Sequence, residues 1–325
     1  MSLSAALQIG RSALTASQVG LQVTGNNMAN AATPGYSRQV THLLPARSDS
    51  SLIGARIGRG VNVGDVQRQI DQALQSRLWS SMSDEHASLQ EFQILAQAEA
   101  MLNELSDADL SSQLSEFFDT WSEATNLQQS ASVVIGQGSN LAAYARNMRE
   151  DLTNLRAQID GELRASIERA DALLSELAAL DVAVVEAETH ASANALRDQR
   201  DMLVSELSEF LDINVVEQSS GHLDVFVGST PILLAGASRG IDFDLVSQGN
   251  EIRVDIRVQR DRQVLDVTGG AIGGLLRTRN GRINSTIDAM DDIARNLVFE
   301  VNRLHAVGHN AEGLLSSTSN LIVPV

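Results

Sequence analysis

The chain has 325 residues, a formal charge of -17 at pH 7 and no cysteine, and all 24 of its basic residues are arginine. The absence of cysteine excludes disulfides, thiolate metal sites and cysteine nucleophiles. The acid excess argues against a nucleic-acid binder, which would show a basic face, and against a polybasic lipid anchor.

The first segment is helical by period. Leu3, Leu7, Gly10, Leu14, Ser17, Leu21, Thr24 and Met28 recur in steps of four and three, the spacing of a coiled-coil seam. Gly10, Ser17 and Thr24 thin that seam, so the helix is marginal alone and is expected to pack closely against another helix. Residues 1–20 lack the basic start and compact apolar centre of a cleaved signal peptide. No run of 18 apolar residues exists, so no transmembrane helix is expected. The helix stops before Thr33-Pro34-Gly35, where proline disfavours helix at the residue before it and Pro-Gly marks a turn.

Residues 40–68 read as short strands and turns, with Val61 and Val63 alternating and Gly54, Gly58, Gly60 and Gly64 between them. A second helix is predicted over 71–105, with Leu74, Leu78, Met82, Leu89, Phe92, Leu95 and Leu102 as its apolar positions. Ser106 with Asp109 reads as a capping box. It opens a short helix whose Phe117, Phe118 and Trp121 are expected to fill a core contact. The longest helix is predicted over 140–188. Its seam runs Leu141, Ala145, Met148, Leu152, Leu155, Ile159, Leu163, Ser166, Ala170, Leu173, Leu177, Leu180 and Val184. Roughly 70 Å of helix at 1.5 Å per residue exceeds a compact domain and implies a rod. A further helix over 194–211 carries Leu196, Leu203, Leu207 and Phe210.

From Ile213 to Val267 the period changes to two. Residues 251–258 and the Leu223, Val225, Val227 set alternate as one-face-buried antiparallel strands do. Five or six strands are expected, closed by turns at Gly269-Gly270 and Gly273-Gly274. A last helix over 283–304 has Ile283, Ile287, Met290, Ala294, Leu297, Val301 and Leu304 on one stripe. The fold class is therefore mainly α with a β subdomain (α+β): a long coiled-coil-like helical bundle with a β-hairpin and an inserted antiparallel β-domain. The domains are 1–38 (terminal coiled-coil helix and turn), 39–70 (hairpin), 71–211 (bundle), 212–270 (β-domain), 271–308 (returning bundle helix) and 309–325 (tail).

Little of the chain suggests chemistry. His305 and His309 stand four apart, but Ala306 occupies the place of the general-base glutamate in H-E-x-x-H, so no metal is expected. The glycines at 269–274 match neither a P-loop nor a dinucleotide fingerprint. Asp198 and Asp201 share a helix face with Arg197 and Arg200 and are expected to form surface ion pairs, each worth under about 1 kcal/mol. No Ser-His-Asp set stands out; neither an enzyme nor a cofactor is expected. Between Leu78 and Ala145 there are ten acids and no arginine. That block reads as a solvated face, or as a surface that meets an arginine-bearing neighbour.

Residues 26–38, Asn-Asn-Met-Ala-Asn-Ala-Ala-Thr-Pro-Gly-Tyr-Ser-Arg, resemble the N-terminal signature of bacterial flagellar axial proteins. Three later stretches narrow the resemblance to the hook-associated protein 1 family of hook–filament junction proteins: Asn194 to Ser208 with its Asp198-Gln-Arg-Asp201, Gly270 to Arg279, and Val301 to Gly308 with Asn302 and His305. The resemblance implies a structural subunit, not an enzyme. It would be exported through the flagellar type III apparatus and assemble into a ring or helical homo-oligomer. Its partners would be hook protein, a second junction protein, the export apparatus and a chaperone, with no nucleic acid and no membrane, and its place the extracellular flagellum. Leu3, Leu7, Leu14, Leu21, Asn26, Asn27, Asn30, Gly35, Tyr36 and Arg38 would mediate axial packing. Another axial subunit, such as a hook or rod protein, and a soluble coiled-coil adaptor are the alternatives; the Asp198–Asp201 stretch argues against the first. Family members also carry a C-terminal helical segment that pairs with the first helix. Nothing after Gly308 here does so, which reads as a fragment or a short form. The first helix is then expected to lack a partner in the chain and to be frayed or disordered in the monomer.

Overall fold

The computed structural model describes residues 3–46, 58–102, 109–127, 131–189, 192–248 and 251–307. Gly54, Ser106, His309 and the tail 309–325 lie outside the described residues. The elements run α1 (Leu3–Ala29), β1 (Gln39–Pro45), β2 (Val61–Arg68), α2 (Gln72–Leu102), α3 (Leu110–Leu127), α4 (Ala131–Glu188) and α5 (Asn194–Phe210). Strands β3 (Ile213–Glu217), β4 (Leu223–Val227), β5 (Thr230–Leu234), β6 (Ala237–Ser238), β7 (Ile241–Gln248), β8 (Glu251–Val258) and β9 (Val264–Leu265) follow. The described chain closes with α6 (Gly270–Arg277), a π-helical turn (Thr278–Ile283) and α7 (Asn284–Val307). The fold is mainly helical with small antiparallel sheets, as the switch of period predicts. The sheets are β1-β2, β3-β4-β5-β6 and β7-β8-β9. Seven strands therefore stand in the β region where five or six were expected; β6 and β9 are two-residue strands that carry too little sequence to show a period.

Contacts group the chain into two compact units. One comprises residues 1–86, 167–242 and 256–270, the other 87–166, 243–255 and 271–325. In the first, α1 packs on the β1-β2 hairpin. Its core includes Leu173, Leu174 and Leu177 of α4, Val204 and Leu207 of α5, and Val225, Val227, Ile232 and Leu233 of the four-stranded sheet. The second buries Leu152, Leu155, Ile159 and Leu163 of α4, Ile94 of α2, Ile272 and Leu275 of α6, and Ile287 and Met290 of α7.

Several expectations change. The 58-residue α4 starts nine residues earlier than its seam implied, and its buried stripe drifts. Ile167, Leu174, Ala178 and Asp181 are buried beside or instead of Ser166 and Leu180. A straight helix has 3.6 residues per turn, so a strict 3.5-residue seam rotates away from the core by about 20° per heptad. On α2 the buried positions are Trp79, Ser83, Ala87, Ile94 and Ala98, while Leu74, Leu78, Leu89 and Phe92 are exposed. Asp109 caps α3, its Oδ1 accepting from the Ser112 amide at 2.6 Å; Ser106, the other half of the expected capping box, lies outside the described residues. The aromatic cluster fills a core contact only through Phe117; Phe118 and Trp121 sit edge-on to it and are exposed.

Gly273 and Gly274 are not turn residues; both lie inside α6. The close contact belongs to Gly274, where an added Cβ would stand 2.3 Å from the Ala87 carbonyl oxygen of α2. The glycine lets two helices approach backbone to backbone. Gly270 does serve as a turn: its φ is +66°, and a Cβ would meet the Phe210 carbonyl carbon at 2.2 Å. Gly274→Ala is expected to cost about 1–3 kcal/mol through overpacking. Gly161→Ala, mid-α4 with nothing near an added Cβ, should instead gain about 0.5–1 kcal/mol. Thermal melts of the two variants check both signs.

Candidate functional site

Helix α1 has two faces. Ile9, Ser12, Ala16, Val19 and Val23 are buried or half-buried and follow the same four-three spacing as the predicted seam, displaced by two residues; half-buried Asn27 follows one turn after Val23. At 3.6 residues per turn, two residues are about 200°, so the second face lies nearly opposite the first. It bears Leu3, Leu7, Leu14, Leu21 and Met28, which are 79%, 66%, 63%, 73% and 76% exposed. The expectation that α1 lacks any partner in the chain is thus corrected. The hairpin covers one face, and α1 is a continuous helix from Leu3 to Ala29. Ser12 anchors its middle: the hydroxyl donates to the Ile9 carbonyl at 2.9 Å and accepts from the Val61 amide at 3.2 Å. Gly60, with φ +103°, leaves room for that hydroxyl; a Cβ there would lie 2.2 Å from Ser12 Oγ.

The signature residues separate by task. Asn27 is a clamp. Its Oδ1 accepts from Tyr36 Oη and from the Gln39 amide, both at 2.9 Å, and its Nδ2 donates to the Gln39 carbonyl at 2.8 Å. Asn26 and Asn30 are bonded to each other at the helix end, Asn30 Nδ2 to Asn26 Oδ1 at 2.9 Å. Gly35, at φ +75°, brings the turn against α5; a Cβ there would lie 2.3 Å from Met202 Sδ. The Arg38 side chain is exposed, while its carbonyl accepts from the Gln69 amide at 2.8 Å. The structure therefore brings Asn27, Gly35 and Tyr36 together as an internal lock and leaves the leucine stripe facing outward.

The Asp198-Gln-Arg-Asp201 stretch is what the turn rests on. Arg68 Nη1, at the end of β2, donates to Asp198 Oδ1 at 2.9 Å and to Asp201 Oδ2 at 2.7 Å. Asp198 Oδ2 accepts from the Ser37 amide at 3.2 Å, and Asn194 Nδ2 donates to the Val66 carbonyl at 2.7 Å. From within the same stretch, Arg200 donates to Asp181 Oδ1 and to the Gly221 carbonyl, both at 3.0 Å. Asp181 also takes the His222 ring at 2.8 Å and the Leu223 amide at 2.9 Å. The side chains of Arg200 and Asp181 are 1% and 0% exposed. The expected surface ion pairs are thus buried ones, and Asp198 and Asp201 pair with Arg68 rather than with their own helix neighbours. Breaking such a pair costs about 3–5 kcal/mol, against under about 1 kcal/mol at the surface. Spacing alone could not reveal this, because the partners lie over a hundred residues away in sequence. Arg197 pairs with Glu188, and at 3.0 Å with Glu217. The hydrogen bond to Arg197 holds the Glu188 carboxyl below its ordinary value, against the opposing effect of burial, and the same bond raises Arg197.

In the second unit Arg279 and Asn280 serve the same kind of purpose. Arg279 Nε donates to Asp160 Oδ1 at 2.8 Å and Nη2 to Oδ2 at 3.2 Å, and Nη1 bonds the Ile252 carbonyl. Asn280 donates to the Val254 carbonyl at 3.0 Å and accepts its amide at 3.1 Å, continuing the edge of β8 with a side chain. Among the described residues no group of His, Asp and Glu is placed to hold a metal ion, and no helix is long and apolar enough to cross a membrane.

Two measurements test the lock. Asn27→Ala leaves the Gln39 amide and the Tyr36 hydroxyl short of an acceptor and should cost about 1–3 kcal/mol, whereas Asn26→Ala, at an exposed bond, should stay within about 0.5 kcal/mol; urea unfolding compares them. Because the folded value of Glu188 lies below its ordinary 4.5, the pair stabilises the protein above that pH. The gain is lost as the pH falls through the lowered value. The acid-side drop in Tm should therefore be shallower in Glu188→Gln than in the parent chain.

Comparison with known proteins agrees with this geometry. The model of the "Flagellar hook-associated protein FlgK helical domain" matches residues 95–318, and that of the "Flagella basal body rod protein" family matches residues 7–36, the two-faced helix and its turn. "Flagellar hook-associated protein 1" of Bacillus subtilis is 34% identical over 227 residues, covering 66% of this chain and 44% of the relative. Its Escherichia coli counterpart is 24% identical over 326 residues, covering 96% of this chain and 59% of the relative. The flagellar hook junction protein FlgK from Burkholderia pseudomallei shares the fold, with a TM-score of 0.66 over 74% of this chain and 45% of that one, at 22% identity. The chain thus spans about half the length of these relatives. With a family model matched over most of its residues, the chain belongs to the flagellar hook-associated protein FlgK family.

Proposed function

We propose that this chain is a structural subunit of the bacterial flagellum that joins hook to filament, with the outward stripe of α1 as its axial packing face. The observation that carries the reading is that stripe. Four leucines and a methionine stand exposed on a helix fixed by its opposite face to a hairpin, all but Leu3 within the segment that matches the rod-protein family. Burial of an exposed leucine is worth on the order of 1.5 kcal/mol or more, so covering a face of this kind is favourable. In this reading Leu3, Leu7, Leu14 and Leu21 meet other axial helices. Exposed Asn26 and Arg38 and half-buried Asn30 contact neighbouring subunits, and Asn27, Gly35 and Tyr36 hold the helix at its angle. Residues 1–38 are the axial segment, 39–70 the hairpin, 71–211 with 271–308 the bundle, and 212–270 the β-domain. The subunit acts in the extracellular flagellum after type III export with its chaperone. It assembles with copies of itself, hook protein and a second junction protein, and it catalyses nothing.

A strain without the protein should make hooks and shed filament subunits into the medium; normal filaments in that strain would overturn the proposal. A Leu7→Gln, Leu14→Gln, Leu21→Gln variant should fold, by circular dichroism of the purified chain, yet fail to restore filaments. The Asn26→Ala variant should restore them at least in part.

A further inference from the structure

We propose that Asn280 is a site of spontaneous deamidation that the fold holds shut. Of the 23 glycines, one follows an asparagine, in Asn280-Gly281, and one follows an aspartate, in Asp160-Gly161. Asparagine before glycine is the pair whose side-chain carbonyl carbon lies most open to the next backbone nitrogen, because glycine has no Cβ in the way. The Gly281 nitrogen gives its proton to solvent base and attacks Asn280 Cγ. The new C–N bond closes a five-membered succinimide, and ammonia leaves with a proton from water. Water then opens the ring at either carbonyl, giving aspartate or isoaspartate. In sum, one amide and one water become one carboxylic acid and one ammonia, with no oxidant and no cofactor. Packing does not call for this glycine. An added Cβ at 281 meets nothing within 4 Å, and a helical glycine costs about 1 kcal/mol against alanine. Gly281 is also exposed, so water and base reach it.

The folded chain turns the side chain away from that attack. Asn280 Oδ1 accepts from the Val254 amide and from Arg279 Nη1, both at 3.1 Å, and Nδ2 donates to the Val254 carbonyl at 3.0 Å. Two donors on Oδ1 polarise the carbonyl, which alone would favour attack as an oxyanion site does. Position outweighs this. The amide is bonded along the edge of β8, and attack starts only from roughly 3–3.5 Å, so the side chain must fold back on its own main chain and release all three bonds. Arg279 is the bolt. Its side chain is 1% exposed and also holds both oxygens of Asp160 and the Ile252 carbonyl. The chain's one Asn-Gly and its one Asp-Gly are thus engaged by the same guanidinium. The weak element is the turn itself, since Thr278–Ile283 is wound as a π-helix, a rare form seen mostly as single turns. Deamidation therefore proceeds from an opened turn, at a rate that follows the open population. Afterwards the turn does not close as before. A carboxylate at 280 has no hydrogen to give the Val254 carbonyl, and isoaspartate adds a carbon to the main chain within the turn. Asn280 records, irreversibly, the time that the α6–α7 junction spends open.

Peptide mass mapping of the full chain locates the amide-to-acid exchange at 280 and gives its rate. In neutral buffer the folded chain should keep Asn280, and in urea above the unfolding transition conversion should run roughly tenfold faster or more. Gly281→Ala, with open space for its methyl, should fold and should cut the rate in urea by about tenfold or more. Arg279→Gln should raise the rate in buffer while circular dichroism stays helical. If that variant does not fold, the parent chain in urea below its transition should show the same rise. Equal rates in buffer and in urea overturn the proposal, as does a rate in urea that Gly281→Ala leaves unchanged. A rate in buffer that neither Arg279→Gln nor low urea raises overturns the turn as the gate, and the proposal with it.

Discussion

The organisation of the first unit depends on one guanidinium. Arg68 closes β2 and is held by two carboxylates of α5, one of which also takes the amide of Ser37 in the turn after α1. Terminal helix, hairpin and α5 are thereby tied at a single buried point. Hydrophobic burial alone would not hold them there, since α1 buries mainly small or medium side chains against the hairpin. The charge network supplies direction where packing supplies little area. Its cost in desolvation is offset by hydrogen bonds to both oxygens of Asp198 and to one of Asp201, since buried ion pairs hold only when hydrogen bonds accompany them. Asp181 shows the same logic, with an arginine, an imidazole and a backbone amide on two oxygens.

How much of this was legible in the sequence depends on where each signal lives. The helices, the hairpin and the change to strand period are local patterns, and they read directly, because a side chain's neighbours three, four or two residues away decide its face. Which side of a two-sided helix is buried is not local. Residues 3–28 show an obvious large-residue seam, yet the buried face is the quieter one of Ile9, Ser12, Ala16 and Val23. Bulk was mistaken for burial there, and again on α2, where small Ser83, Ala87 and Ala98 are inside and Phe92 is outside. The pairing of Asp198 with Arg68 was illegible for another reason: helix spacing offered Arg197 and Arg200 as nearer partners, and only the fold supplies the distant one. The glycines at 273–274 misled similarly, since a glycine that admits a neighbouring backbone has the same sequence mark as one that turns.

The internal lock and the outward stripe impose opposite demands on one helix. Asn27, Tyr36 and Gln39 fix the end of α1 by three hydrogen bonds, so its direction is set before any partner arrives. Pre-setting a helix in this way removes part of the ordering cost of association, because fewer torsions remain to be fixed when the stripe is covered. The thin seam, unfavourable for an isolated helix, suits such a component.

An all-arginine basic set fits the buried chemistry. Arg200 and Arg279 each reach acceptors on two different segments, and Arg68 reaches two carboxylates one turn apart on α5, all from positions with little exposure. A planar guanidinium does this because its donors diverge at fixed angles and its charge is not lost on burial. An ammonium at the same depth would be pushed toward its neutral form and would have to choose among the acceptors. Replacement of any of these three by lysine is therefore not conservative here: it would leave a carboxylate or a carbonyl in the interior with an unmet bond. The segments joined at these points, rather than the aliphatic core, would be the first to separate.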